Sequence, residues 1–575
     1  MAGPHREPGQ VAKRGARVDP WSLALLACYG LLLFLIVYPL SQLFLGSVQD
    51  ERGAWTLAHF RHFFTTPGYR AALEHSLYVS GMVTLWAVLL GVPLAVAVSR
   101  WRVPGRALLR ALVVLPLVSP PFIGAYSWIL LLGRNGAVSN LLRQLYLQLH
   151  PGATAVAGGE VPWIGSIYGP KGIILALTLH LFPFVFLLVS ASLQAIDLSL
   201  EEAAANLGAT PWRTFRTITA PLLAPAILGG GLLVFLTALA DFGTPVVMGQ
   251  EYQVLPTFIY DLFTRDVGRD PAMAAVASVV LLACTLVVLL AERVYIGRRS
   301  YVMSGLRRAS ERPAGRRGRA LAALFAYGVL GLSLVPVVVV VVTSFFPSRG
   351  PVMRPGFSLA SYTTLFYTVP RAMFNSLFLS GVSTLICLAL AVVMAYLLVR
   401  RRSRWTAGLD GLLVVPYAIP GTVLAVALIT AFGTPPLLLT GTVFILVLSY
   451  VIRRLPYAVN GVAAVLHHIE PAVEEASLSL GASPARTFRR VTLPLLAPGI
   501  VSGGVMTWVQ VISEISSTVL LYYGSWATMS VVIYRQVLSD DFGTAAAAST
   551  LLLVAVFLPL LAFNLWQGER AADLF

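Results

Sequence analysis

Twelve apolar stretches dominate this sequence, at about 22–46, 75–99, 111–132, 172–193, 223–247 and 271–292, then 321–345, 375–399, 408–431, 438–463, 498–521 and 542–565. A helix needs roughly 20 such residues to cross the hydrocarbon core of a bilayer. Composition agrees: 57% of the residues are hydrophobic, 11% are charged and the mean hydropathy is +0.79. Soluble proteins carry about 25% charged residues. A disordered chain, a nucleic-acid-binding basic protein and a set of soluble domains are thereby excluded. The first run, Trp21 to Leu45, is longer than a signal-peptide core and is read as a retained span.

The net charge of +16 therefore reads as topology. With the N-terminus inside, cytoplasmic segments hold 27 of the 41 Lys and Arg residues, external segments hold 12, and two lie within a span. The link 293–320 is the densest patch, and Arg100–Arg110 and Arg400–Arg404 follow the second and eighth spans. This positive-inside bias predicts cytoplasmic termini. Cys28, Cys284 and Cys387 sit in apolar runs, which gives no disulfide framework and no CxxC metal pair. No metal site and no cofactor are expected.

The chain is written twice. His75–Gly81 answers to Asn375–Gly381, and Pro116 and Pro120 answer to Pro416 and Pro420, all at a spacing of 300. About 27 extra residues around 133–160 reduce the later spacing to 273, at which 201–227 matches 474–500 at 18 of 27 positions. Six spans per half make the halves parallel repeats about an axis along the membrane normal. The expected organisation is a cytoplasmic tail (1–20), a first repeat (21–292), a basic cytoplasmic linker (293–320), a second repeat (321–565) and a cytoplasmic tail (566–575).

The best-matched segments, 197–221 and 470–494, are polar links between the fourth and fifth spans of each half. Each reads as a short helix ended by Gly208 or Gly481, then a second helix begun by Thr210-Pro211 or Ser483-Pro484. Asp197, Ser199 and Pro471 suit the first turns. Pro221 and Pro494 are expected to close the second helix and open the next span. Phe215 beside Arg213 and Arg216, and Phe488 beside Arg486 and Arg489, have the make-up of a protein-docking hot spot. A lipid-facing helix drifts freely, whereas a loop that docks twice on one kind of partner does not.

These segments resemble the EAA loop of bacterial ABC importer permeases, through Glu202-Ala203-Ala204, Gly208 and Ile218-x-Ala-Pro221, and again through Glu475-Ala476-Ser477, Gly481 and Val491-x-Leu-Pro494. Departures are Ser477 for the second alanine and Ala220 for the leucine before proline. The resemblance implies an all-α polytopic fold of the type I importer permease kind, with twelve transmembrane helices in two parallel six-helix repeats. It also implies a short helix that docks on an ATPase subunit and transmits its closure. Asp241-Phe-Gly-Thr244 and Ser449-Tyr-Val-Ile-Arg-Arg-Leu-Pro456 extend the likeness to the ferric-iron importer permeases; related branches carry thiamine, phosphonates, polyamines or sulfate.

A nucleotide-binding P-loop needs Gly-Lys followed by Ser or Thr. The only lysines are Lys13 and Lys171, and neither follows glycine. The expectation is a transport subunit, not an enzyme, in the bacterial inner membrane. Two copies of a separate ATPase would dock inside, and an external binding protein would deliver the substrate. The rival is a secondary transporter driven by an ion gradient, for which Asp241 and Glu514, equivalent at spacing 273, are the candidate intramembrane carboxylates. Arg453 and Arg454, halfway along the tenth span where the first half has His180 and Leu181, either line the passage and attract an anion or pair with a helix end. External His59, His62 and Tyr69 show no metal-ligand spacing.

Overall fold

The computed structural model describes residues 20–50, 52–101, 103–150, 162–264, 270–297, 316–350, 352–354 and 356–567. The tail to residue 19, the stretch 298–315 of the basic link, the C-terminal tail from 568 and the stretch 151–161 of the first-half insertion lie outside the described residues. Among the described residues, nine helices are long and apolar enough to cross a membrane. They are Trp21–Val48, Pro67–Arg100, Pro170–Ala195, Pro211–Leu239, Pro271–Ala291, Arg316–Thr343, Pro370–Arg400, Val443–His468 and Phe542–Leu565. Three further spans are bent pairs: Arg106–Val118 with Pro121–Leu149 at 95°, Arg404–Ala418 with Gly421–Phe432 at 107°, and Pro484–Leu495 with Ala497–Ile512 at 63°. Counted in chain order these are spans 1 to 12, in two six-span repeats.

The two sharpest bends have one cause. The residue before a proline is pushed out of the α region. Ser119 before Pro120 and Ile419 before Pro420 are extended (ψ 143° and 112°), so spans 3 and 9 break at the same point of each repeat. Among the described residues strand pairing is confined to the two-residue hairpin Ser348–Arg349 with Val352–Met353 and an isolated bridge between Gln49 and Trp55.

Three expected boundaries are corrected. Span 10 begins at Val443, not 438, because the chain before it runs through Pro435-Pro436 and a left-handed Gly441 (φ 83°). Spans 5 and 11 end at Leu239 and Ile512, short of 247 and 521. Beyond each end the chain turns and starts a second, short helix, Gly243–Met248 or Thr518–Leu521. Hydropathy missed these breaks because the short helices are themselves apolar and buried.

Within each repeat the second, fourth and fifth spans pack as a tight trio, as do spans 8, 10 and 11. Small residues permit the approach: a Cβ on Gly461 would lie 2.5 Å from the Cα of Gly503. The first span of each repeat leaves its own trio and packs on the other repeat, span 1 against span 9 and span 7 against spans 2 and 3. Tyr29 Oη donates to Trp405 O at 2.5 Å, and Tyr327 Oη donates to Pro104 O at 2.7 Å. The two bonds are near-symmetric clasps between the halves. Phe34 and Tyr38 meet Phe432 with ring centroids 5.7 and 5.6 Å apart, which reinforces the first.

Candidate functional site

The two repeated loops fold alike, for local reasons. Asp197 Oδ1 accepts from Ser199 N at 2.9 Å and caps helix Leu198–Asn206, and Pro471 opens the matching helix Pro471–Ser479. Gly208 and Gly481 follow in the left-handed region, at φ 81° and 86°, where a Cβ crowds the backbone. Thr210 and Ser483 then cap helices that begin at Pro211 and Pro484.

Pro221 and Pro494 do not open the next span. The helix runs from Pro211 through Pro221 to Leu239 by widening into a π turn, Phe215–Thr219, in which Ala220 N donates to Phe215 O. The second repeat repeats this turn at Phe488–Thr492, with Leu493 N donating to Phe488 O. A wider turn accommodates the ring and the missing N–H of the proline that follows. The first loop is thus continuous with span 5, whereas in the second repeat the chain bends by 63° between Leu495 and Ala497 before span 11 continues.

Of the residues singled out in the sequence, Glu202, Ala203, Gly208, Arg213, Arg216 and Pro221 are exposed, as are Glu475, Ala476, Gly481, Arg486, Arg489 and Pro494. Phe215 and Phe488 are half-buried. Phe488 is wedged between Trp21 and Tyr396, at ring-centroid distances of 5.5 and 5.3 Å, so the loop of the second repeat rests on the first span of the other repeat. Among the described residues the aromatic ring paired with Phe215 is that of Trp212, at 5.9 Å.

Sequence reasoning missed the buried partners of these loops. Glu201 accepts from Arg100 Nη2 at 3.0 Å and from Thr219 Oγ1 at 2.8 Å. In the second repeat Glu474 accepts from Arg400 Nε at 3.2 Å and Tyr396 Oη at 3.1 Å, and Arg400 Nη2 also donates to Ile469 O at 2.7 Å. Each short helix is therefore pinned to the end of the second span of its own repeat. The signal was present: Arg100 and Arg400 match at spacing 300, Glu201 and Glu474 at 273. These two arginines do more than set topology. Leu207 and Leu480, also matched, project 88% and 89% exposed just before the turn glycines. Each polar loop thus holds up one bare leucine at the same place.

The candidate intramembrane residues divide. Glu514 is buried and pairs with both Arg453 (2.5 Å) and Arg454, whose guanidiniums converge on its Oε2. Its Oε1 accepts from Ser517 N at 3.1 Å at the start of the short helix Thr518–Leu521. Among the described residues Asp241 forms no ion pair with an arginine, and it caps the equivalent short helix through Thr244 N at 2.9 Å. Both acids therefore serve as caps, but only the second repeat adds the arginine pair. His62 packs edge-on against Tyr69 at 5.4 Å and His59 makes no metal cluster; among the described residues no three His, Cys, Asp or Glu side chains converge on a metal site.

Substituting Gly208 or Gly481 by Ala forces a Cβ into the left-handed region, a cost of about 1–2 kcal/mol per site. The expected result is faster protease nicking of the altered loop with an unchanged helix content, read by limited proteolysis and circular dichroism. Equal nicking in variant and parent refutes the rigid-turn account.

Residues 87–299 and 387–569 each match the model of the family described as binding-protein-dependent transport system inner membrane component. The ferric transport system permease protein FbpB of Actinobacillus pleuropneumoniae is 28% identical over 556 residues, 95% of this chain and 78% of its own. The probable ABC transporter permease protein y4fN of Sinorhizobium fredii is 28% identical over 573 residues, 96% and 95% of the two chains. The molybdenum transport system permease protein ModB of Escherichia coli K12 is 31% identical over 214 residues, 36% of this chain and 85% of its own. A solved bacterial alginate ABC transporter aligns over 50% of this chain and 96% of that chain at 21% identity, with a TM-score of 0.39. Two family matches in tandem, on two six-span repeats, make this chain a multi-pass membrane transport subunit that belongs to the binding-protein-dependent transport system inner membrane component family.

Proposed function

We propose that this chain is the fused permease of an ATP-driven importer of ferric iron, its two repeats forming one passage at their interface. The observation that carries the substrate is similarity to a ferric transport permease along 95% of the chain. In this reading the paired loops face the cytoplasm with both termini, and the functional repeats are 21–292 and 321–565. Two ATPase copies dock on the exposed faces of 197–221 and 470–494. The contacts are Glu202, Ala203, Gly208, Arg213, Arg216 and Pro221, and Glu475, Ala476, Gly481, Arg486, Arg489 and Pro494. Phe215 and Phe488 act as the pivots behind them. An external binding protein delivers the iron to the opposite face, and Arg453, Arg454, Asp241 and Glu514 stand beside the passage.

The test is reconstitution of the full chain in lipid vesicles with its ATPase and binding protein. Ferric iron uptake is expected with ATP and absent when the ATPase is omitted. Uptake by the chain alone under a proton or sodium gradient defeats the ATP-driven reading. ATP-driven uptake of another substrate in place of iron defeats the substrate assignment.

A further inference from the structure

The paired loops are alike in fold and unlike in what lies behind them. In the second repeat Tyr396 of span 8 is a hub. Its ring stacks on Trp21, with centroids 4.3 Å apart and planes at 25°, and meets Phe488 edge-on at 5.3 Å and 86°. Its hydroxyl donates to Glu474 Oε2 at 3.1 Å. Trp21 also meets Phe488, at 5.5 Å and 69°, so the three rings close a triangle drawn from span 1, span 8 and the loop. The first repeat differs: at spacing 300 Val96 stands where Tyr396 does. Among the described residues the ring paired with Phe215 comes from Trp212 of the same loop. Trp21 begins span 1, which belongs to the other repeat. Seventeen residues further along that span, about 25 Å at 1.5 Å per residue, Tyr38 packs on Phe432 at the far end of span 9. Between them Tyr29 Oη donates to Trp405 O.

We propose that Trp21 is a positioning residue through which the ATPase docked on the second loop also moves the first repeat, so that the two docking loops are not interchangeable. The inference rests on the ATP-driven reading and deepens it. Packed side chains transmit displacement because a close-packed interior leaves them little room to yield. Phe488 sits on the loop that the partner moves. Tyr396 is held by its own span and by Glu474, which Arg400 holds in turn through Nε at 3.2 Å. A shift of Phe488 therefore passes to Trp21. Span 1 then carries it past the Tyr29 clasp to Phe432, at the opposite end of span 9 from the loops. The first loop, tied to span 2 through Glu201 and Arg100, acts on its own repeat. One docking site drives both halves and the other drives one.

The experiment reconstitutes the full chain in lipid vesicles with its ATPase and binding protein and reads the ATP hydrolysed per ferric ion taken up. Trp21→Ala is expected to raise that ratio about tenfold, the factor by which two ring contacts of ordinary strength shift an equilibrium. Co-purification of the ATPase and the rate of hydrolysis are expected to stay at the parent level. Trp21→Phe keeps a ring in place and is expected to restore most of the coupling. Phe488→Ala is expected to match Trp21→Ala, and the double variant to be no worse than either, because both remove one route. Should Trp21→Ala not fold, Tyr396→Val, which gives span 8 the residue of span 2, supplies the same readout. A merely structural role lowers uptake and hydrolysis together and leaves the ratio unchanged. An unchanged ratio, or a double variant whose effect is the product of the two singles, overturns the inference and leaves the importer reading standing. Absence of ATP-driven uptake by the parent overturns both.

Discussion

Replacing Glu514 with Gln lowers the stability of the solubilised chain by about 3–5 kcal/mol, because a buried ion pair that loses one partner leaves a charge unpaired. Here the loss is compounded, since two guanidiniums converge on one carboxylate oxygen and both are left without their anion. Arg453→Gln and Arg454→Gln behave differently. Each leaves one arginine with Glu514, a neutral pair in place of a cluster with net charge +1, so each destabilises less than Glu514→Gln. The triple variant with Gln at all three positions removes every charge and recovers part of the loss. Thermal unfolding in detergent measures the order. If Glu514→Gln is as stable as the parent, the cluster is not a structural keystone. The same arginine variants separate anchoring from passage: in vesicles, stable folding with lost iron uptake assigns a role in transport, whereas normal uptake in both confines the arginines to holding the helix break.

The double substitution Leu207→Asp with Leu480→Asp reduces ATP-driven uptake to background and leaves thermal stability unchanged. The two leucines are 88% and 89% exposed, so within this chain they contribute little burial and their replacement disturbs no core. Their apolar surface becomes useful only when a partner covers it. Burying a Leu side chain is worth about 1.5–3 kcal/mol. Two such anchors, each replaced by a charge that must be desolvated, account for loss of docking. Co-purification of the ATPase with the chain and ATP-dependent uptake in vesicles are the measurements. Retained co-purification and uptake remove the leucines from the docking surface. In the proposed reading the buried pair Arg100–Glu201 and the part-buried pair Arg400–Glu474 would convey motion of a docked helix to spans 2 and 8, since each short helix is tied there by a charge-assisted hydrogen bond.

Much of the architecture was readable because the bilayer imposes a coarse rule. An apolar run either spans or it does not, and Pro120 and Pro420 at spacing 300 recorded the duplication, although that they break spans 3 and 9 came only from the structure. The ends of spans 5 and 11 were not readable. Asp241 and Glu514 start new short helices inside an unbroken apolar run, and hydropathy carries no information about a turn whose polar groups are satisfied locally. The loops were legible through their repetition, yet the attention drawn by Glu202 and Glu475 hid the neighbouring Glu201 and Glu474, which are the ones held inside. Adjacent residues on a helix point about 100° apart, so one glutamate of each pair faces the body and its neighbour faces outward.

The sequence by itself determined the apolar runs, the duplication and the two copies of the repeated polar loop, because each depends on local composition or on direct comparison along the chain. Only the tertiary structure decided that the first span of each repeat clasps the other repeat, that Phe488 rests on Trp21, and that Tyr260 meets Tyr534. Those contacts join residues hundreds of positions apart. They follow from how twelve helices share a common interior, and the chain records no local pattern for that arrangement.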